Sequence, residues 1–178
     1  MGRPVSGGLN FVFREILTMN IRAASFADAA ALAAIEALCF PAAEAAGPAA
    51  IAQRLAVFPD RFLIAEEAGV PIGFINGCAA DRPRIKDEMY EDANLHRPDG
   101  PWQTVFGLDT LPAWRRRGVA AALMNAFIAQ ARARGQQGVA LTCKAHLVHY
   151  YERFGYQNEG VSASVHGGAV WYDMVLRF

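Results

Sequence analysis

The stretch Trp114–Met124, WRRRGVAAALM, sets three consecutive arginines against Gly118 and a run of small residues. From Val119 onward apolar residues recur at helical spacing, so this turn delivers the chain into a helix N-terminus. A helix start presents N–H groups without intrahelical partners and the positive end of the dipole, and Gly118 and Ala120 leave room for a ligand at the backbone. Arg115, Arg116 and Arg117 add planar donors that match phosphate oxygens. The chemistry expected is phosphate binding; the alternative is a solvated basic turn closed by a glycine. A nucleotide-type P-loop is excluded because no G-x-x-x-x-G-K-[ST] occurs, and a dinucleotide fingerprint because its other glycines are missing.

A second group lies in VHYYERFGY, where Tyr150 and Tyr151 stand side by side. A phenol with its usual pKa of about 10 is protonated at neutral pH and can donate a proton or a hydrogen bond. Buried tyrosines of this kind also serve simply as core aromatics. Cys143, His146 and His149 have ligand types that zinc accepts, but Cys143 ends an apolar strand and the two histidines cannot share a helix face with it. No metal is expected. His149 reads as a helix-surface or core histidine, and His96 as an acceptor contact or a solvated side chain.

The elements that must position these residues follow in regular order. A short strand at MNIRAAS leads through Ser25 and Asp28, spaced as a capping box, into a helix over 29–38 that ends at Phe40-Pro41. GPAAIAQRLAVF is a second helix with Pro48 at its start. Two apolar runs around Glu-Glu-Ala-Gly form a hairpin. Residues 81–100 are a long polar connection, unusual enough to suggest a functional loop. WQTVFGLDTL is one strand, then come the arginine turn, a helix over 119–134 stopped by Gly135, and the buried strand GVALTC. LVHYYERF is a short helix, and two closing strands flank Gly167-Gly168. The pattern predicts a single α/β domain over residues 19–178. The first 18 residues lack a signal-peptide pattern and are expected to be an extension apart from the fold.

Composition excludes several partners. Lys+Arg and Asp+Glu are 17 each, so no net field draws the chain to nucleic acid or anionic lipid. All but Lys86 and Lys144 of the cations are arginine. Three scattered cysteines suggest reduced thiols and a cytoplasmic protein. No apolar run has the roughly 20 residues of a membrane span. A monomer or a homodimer is expected.

LDTLPAWRRRGVAAALM resembles the cofactor motif of the GNAT superfamily of N-acetyltransferases, in which a strand and a Pro-containing turn lead to [Arg/Gln]-x-x-Gly-x-[Gly/Ala]; here Arg115 to Ala120 fit every defined position. The resemblance implies a mixed central β-sheet flanked by helices, acetyl-CoA as cosubstrate, and a pyrophosphate cradle from Arg116 to Ala121. It further implies that the strand Leu108, Asp109, Thr110 offers its backbone to the pantetheine amides. LHRPDG, LTCKAHLVHYYERFGY and the order of the front half are similar to arylalkylamine N-acetyltransferases in particular. By that similarity Tyr151 is the general acid, and Phe40 and Pro41 form an acceptor wall, with Phe74 and Trp171 read chiefly as core. The two histidines of those enzymes fall at Thr104 and Phe106, so that proton relay is missing. His146 and His166 are candidates for a base, Asp109 is expected to point away from the site, and no base is assigned. The expected function is acetyl transfer to the primary amine of a small molecule. The alternatives are acetylation of a protein N-terminus or lysine, and a non-catalytic CoA sensor.

Overall fold

A computed structural model describes residues 19–178; the proposed extension at 1–18 lies outside the described residues. The chain forms β1 (Asn20–Ala23), α1 (Ala29–Cys39), α2 (Pro48–Val57), β2 (Phe62–Glu67), β3 (Val70–Asn76), β4 (Ala79–Ala80) and a short α3 (Glu88–Glu91). It continues with β5 (Trp102–Val105), β6 (Gly107–Thr110), α4 (Val119–Ala133), β7 (Gly138–Cys143), α5 (Val148–Glu152), β8 (Gln157–Val161) and β9 (Tyr172–Arg177). Local chemistry explains the boundaries. The Ser25 N–H donates to the Asp28 carboxylate at 2.8 Å ahead of α1. Pro48 occupies the first turn of α2, where its missing N–H costs nothing. Ala68 and Gly69, both at positive φ, close the β2–β3 hairpin in a primed turn.

The β2 strand shows how the two helical layers are divided. Leu63 and Ala65 face one core with Leu123, Met124 and Phe127 of α4, while Phe62 and Ile64 face the other with Leu32 of α1 and Leu55 of α2. Period-2 alternation therefore buries both faces of the sheet, α4 on one side and α1 with α2 on the other. Each fully buried large side chain contributes about 1.5–3 kcal/mol.

The run 102–111, expected as one strand, is two strands in two sheets. β1-β2-β3-β6 is antiparallel throughout, and β4-β5-β7-β9-β8 contains the parallel pair β5–β7. The break falls at Phe106. Its cause lies in the neighbouring strand, which breaks at the same level between β3 and β4. A Cβ on Gly77 would stand 1.9 Å from the Thr104 carbonyl oxygen, so only glycine allows the chains to approach there. Thr104 N–H donates to the Cys78 carbonyl and Phe106 N–H to that of Asn76. Pairing of β5 with β7 ends at Val105–Leu141, after which β6 stays with β3 and Thr142 and Cys143 face an opening wedge.

Candidate active site

The wedge between β6 and β7 holds two cavities that meet at Phe40, Leu108, Leu147 and Tyr151. One, of about 690 Å³, runs along the arginine turn and the first residues of α4. The other, of about 300 Å³, lies under three connections: 41–47, the 81–100 segment and the loop between β8 and β9.

The larger cavity has the features of an anion cradle. Gly118 has φ +83° and nothing within 4 Å of where a Cβ would stand, and Arg116 also has positive φ, at 61°. The first α4 bond runs from Ala122 N–H to the Gly118 carbonyl, so the amides of Val119, Ala120 and Ala121 have no intrahelical partner. Arg115 and Arg116 line the cavity, whereas Arg117 stacks on Trp114, its guanidinium 4.9 Å from the ring centroid. This end suits a phosphate-bearing ligand.

The strand β6 is divided by its own alternation. Leu111 N–H bonds the Ile72 carbonyl, and the register sets Asp109 opposite Phe74 and Thr110 opposite Gly73. Leu108 and Thr110 direct their peptide groups toward the wedge, whereas Asp109 directs its own to β3, which corrects the expectation that it too serves the pantetheine. The Thr110 carbonyl accepts from Arg115 Nε at 3.2 Å and from Cys39 Sγ at 3.3 Å. Asp109 is completely buried with its carboxyl beneath α1, so its side chain takes no part in the larger cavity.

Tyr151, on α5, is 9% exposed and lines both cavities, while Tyr150 lines only the larger one. Burial, reinforced by the charges Cys143, Tyr150 and Asp109 would carry, pushes the Tyr151 phenol far above its usual range. It keeps its proton at every physiological pH.

The smaller cavity has an aromatic wall of Phe40, Tyr90, Phe106 and Trp171, with Glu36 and Arg54 at its base. Its roof is tied down by polar contacts. Ser164 Oγ and Val165 N–H donate to the Asp87 carboxylate at 2.5 and 3.0 Å, Lys144 pairs with Glu44 at 2.7 Å, and Trp171 Nε1 donates to the His166 carbonyl. His166 Nε2 lies 2.9 Å from the Glu44 carbonyl, which can only accept, so Nε2 is the donor. Arg54 is held over Phe106 at 4.9 Å and donates to the Tyr90 carbonyl and Asn76.

Several expectations need correction. Pro41 is exposed and forms no part of the wall; its carbonyl accepts from Glu44 and Ala45 N–H, shaping the turn that carries Glu44 and Gly47 to the cavity. Trp171, expected as core, stands at the wall, while Phe74 is core as read. Thr104 is buried and donates to the Cys78 carbonyl at 2.8 Å, and Phe106 stands in the wall of the smaller cavity. His96 is neither an acceptor contact nor solvated. It is buried, and its Nδ1 accepts from Ala79 N–H at 3.0 Å, pinning the long connection to β4. Burial, with Arg61 nearby, lowers its pKa and keeps it neutral. Of the two candidate bases, His146 lines the larger cavity and His166 the smaller. Cys143 is buried and His149 is exposed beside Glu152, and among the described residues no cluster of His, Cys, Asp and Glu is arranged for a metal. Glu36, Arg54, Tyr90 and Thr142 were not anticipated. Glu36 had a signal: it is the lone charge in the apolar helix AAALAAIEALC.

The family model for the acetyltransferase (GNAT) family matches residues 29–156. The chain belongs to that family. This acetyltransferase accordingly catalyses acyl transfer from acetyl-CoA. Its fold is similar to the loading GNATL domain of CurA from Lyngbya majuscula, at 16% identity, TM-score 0.78, and coverage of 89% of this chain and 97% of that one. It is also similar to GphF, a GNAT-like decarboxylase solved with isobutyryl-CoA, at 21% identity, TM-score 0.74, covering 89% and 98%. A third is yncA from Salmonella typhimurium with its cofactor acetyl-CoA, at 21% identity, TM-score 0.63, covering 89% and 93%. No helix among the acetyltransferase's described residues is long and apolar enough to cross a membrane.

Proposed function

We propose that the acetyltransferase transfers acetyl from acetyl-CoA to the primary amine of a small molecule with an aryl or alkyl body. The observation that carries this reading is the second cavity. At about 300 Å³ it is at the small end of ligand sites, roofed by three connections and walled by Phe40, Tyr90, Phe106 and Trp171. A protein N-terminus or lysine would call for a longer open groove. In this reading the amides from Arg116 to Ala121, with Arg115 and Arg116, hold the CoA pyrophosphate. The peptide groups of Leu108 and Thr110 face the pantetheine amides, and Tyr151 protonates the departing thiolate. Retention of a neutral buried phenol where the cavities join speaks for an enzyme rather than a CoA sensor.

Free-thiol release from acetyl-CoA across arylalkylamines, alkylamines, polyamines, amino acids and short peptides tests it. Turnover concentrated on aryl- or alkylamines is expected. Turnover confined to peptides would replace the acceptor, and tight CoA binding without thiol release on any acceptor would replace the activity.

A further inference from the structure

Glu36 and Asp109 form a carboxyl pair behind the acceptor cavity. Glu36 is 4% exposed and lines that cavity, and Asp109 is 0% exposed. Glu36 Oε1 accepts from Ala46 N–H at 2.9 Å. Neither Glu36 Oε2 nor either Asp109 oxygen reaches a backbone, amide or guanidinium donor. The two carboxyls converge at Gly107: a Cβ placed there would stand 3.0 Å from Asp109 Oδ2 and 3.4 Å from Glu36 Oε2. Gly107 itself lines the cavity, so the pair sits directly behind its wall.

Two adjacent buried carboxyls cannot both ionise cheaply, and a proton between them satisfies oxygens that no backbone, amide or guanidinium donor reaches. Burial first, then the Glu36 charge and the hydrogen bond to Glu36, raise the Asp109 pKa well above the carboxylate range, so Asp109 is the protonated member. The groups facing the pair come from several neighbouring elements: Arg54 from α2, Asn76 from β3, Cys39 from α1 and Tyr151 from α5. Arg54 supplies the counter-charge, but its Nη atoms are spent on Asn76 and the Tyr90 carbonyl.

We infer that Glu36 receives the acceptor as its ammonium ion and takes its first proton, while Asp109, as a positioning residue, donates to Glu36 and holds it against the cavity. This rests on the amine-acceptor reading above. The steps balance. An N–H bond of the ammonium breaks and its proton passes to the Glu36 carboxylate. The freed nitrogen lone pair forms the C–N bond to the thioester carbonyl carbon. The C–S bond breaks, and the thiolate takes the Tyr151 proton. The second nitrogen proton restores Tyr151, and the Glu36 proton leaves to solvent.

The test compares a simple alkylamine, charged at neutral pH, with an arylamine, already neutral there. In Glu36→Gln the ratio of alkylamine to arylamine turnover is expected to fall about 100-fold, the scale of a lost general base. Its alkylamine kcat should then climb with pH toward the amine's own pKa, whereas the wild-type kcat stays flat. An unchanged ratio and an unchanged pH profile would overturn the assignment while leaving the amine-acceptor reading in place. A wild type that turns over neither amine would remove both. Should the variant not fold, the wild-type enzyme still decides. If the ammonium form binds, the alkylamine KM, counted as total amine, is constant from about pH 6.5 to 8.5. A KM that falls tenfold per pH unit would mean that neutral amine is taken from solution, and the inference would be wrong.

Discussion

Tyr90 and His166 stack with ring centroids 4.5 Å apart, joining the long connection after β4 to the loop before β9 over the smaller cavity, which both line. Tyr90 is anchored from below as well, its hydroxyl 3.1 Å from Thr142 Oγ1 at the end of β7. Burial pushes its phenol up to about 12, so it remains a neutral hydrogen-bonding group under assay conditions. Replacing Tyr90 with Ala unstacks His166 and opens the roof. The expected result is an acceptor KM raised about tenfold, worth about 1.4 kcal/mol, with the acetyl-CoA KM within about twofold. Steady-state kinetics with each substrate varied in turn measures both, and a rise confined to acetyl-CoA would contradict the placement of the acceptor.

Tyr151 leads to a prediction about both rate and pH. Its phenol pKa is raised, chiefly by burial, so the group keeps its proton past the point where a free tyrosine would lose it. The wild-type kcat should therefore show no decline from phenol ionisation up to about pH 10. Tyr151→Phe keeps the ring contacts with Tyr150 and Tyr156 but removes the proton, and kcat is expected to fall about 100-fold. Full kcat in the variant across pH would eliminate the acid role.

Gly118 lines the larger cavity and not the smaller one. At φ +83° a side chain carries a strain of about 1–2 kcal/mol, and one built there projects into the open space beside the α4 amides. Gly118→Trp is expected to weaken acetyl-CoA binding at least about tenfold, as a blocked phosphate site would. Titration calorimetry with CoA reads this directly, and unchanged affinity would show that the α4 start does not hold the diphosphate.

Much of this arrangement was legible in the chain because its causes are local. Pro48, Gly69, Gly118 and Gly135 each mark a boundary through backbone geometry alone, whereas Tyr151 was singled out from Tyr150 only through the resemblance to arylalkylamine N-acetyltransferases. What stayed hidden depends on contacts far apart in sequence. The break at Phe106 follows from Gly77 passing the Thr104 carbonyl, and no local feature of WQTVFGLDTL announces it. The smaller cavity is assembled from α1, α2, the long connection, β7 and the last loop, so Trp171 and His166 became wall residues only when those segments met. Asp109 was set with Leu108 and Thr110 on the cofactor, but its peptide groups turn to β3, and its partner Glu36 lies on a helix that sequence spacing does not bring to β6.

That pair also has a measurable consequence for stability. The folded-state pKa of Asp109 is raised, while the unfolded chain releases its proton near the usual value of about 3.9. Below that value both states hold the proton and the burial costs nothing extra. As pH rises, the unfolded state gains by ionising and the folded state does not, so stability declines until the folded pKa is reached and is constant above it. Asp109→Asn removes this dependence and keeps an N–H donor toward Glu36. The variant should melt close to wild type near pH 4 and above it at neutral pH, by about 2–4 °C for each kcal/mol recovered at this chain length. Thermal denaturation of both proteins between those pH values checks the sign, and a melting difference that does not change with pH would mean that Asp109 ionises normally in the folded enzyme.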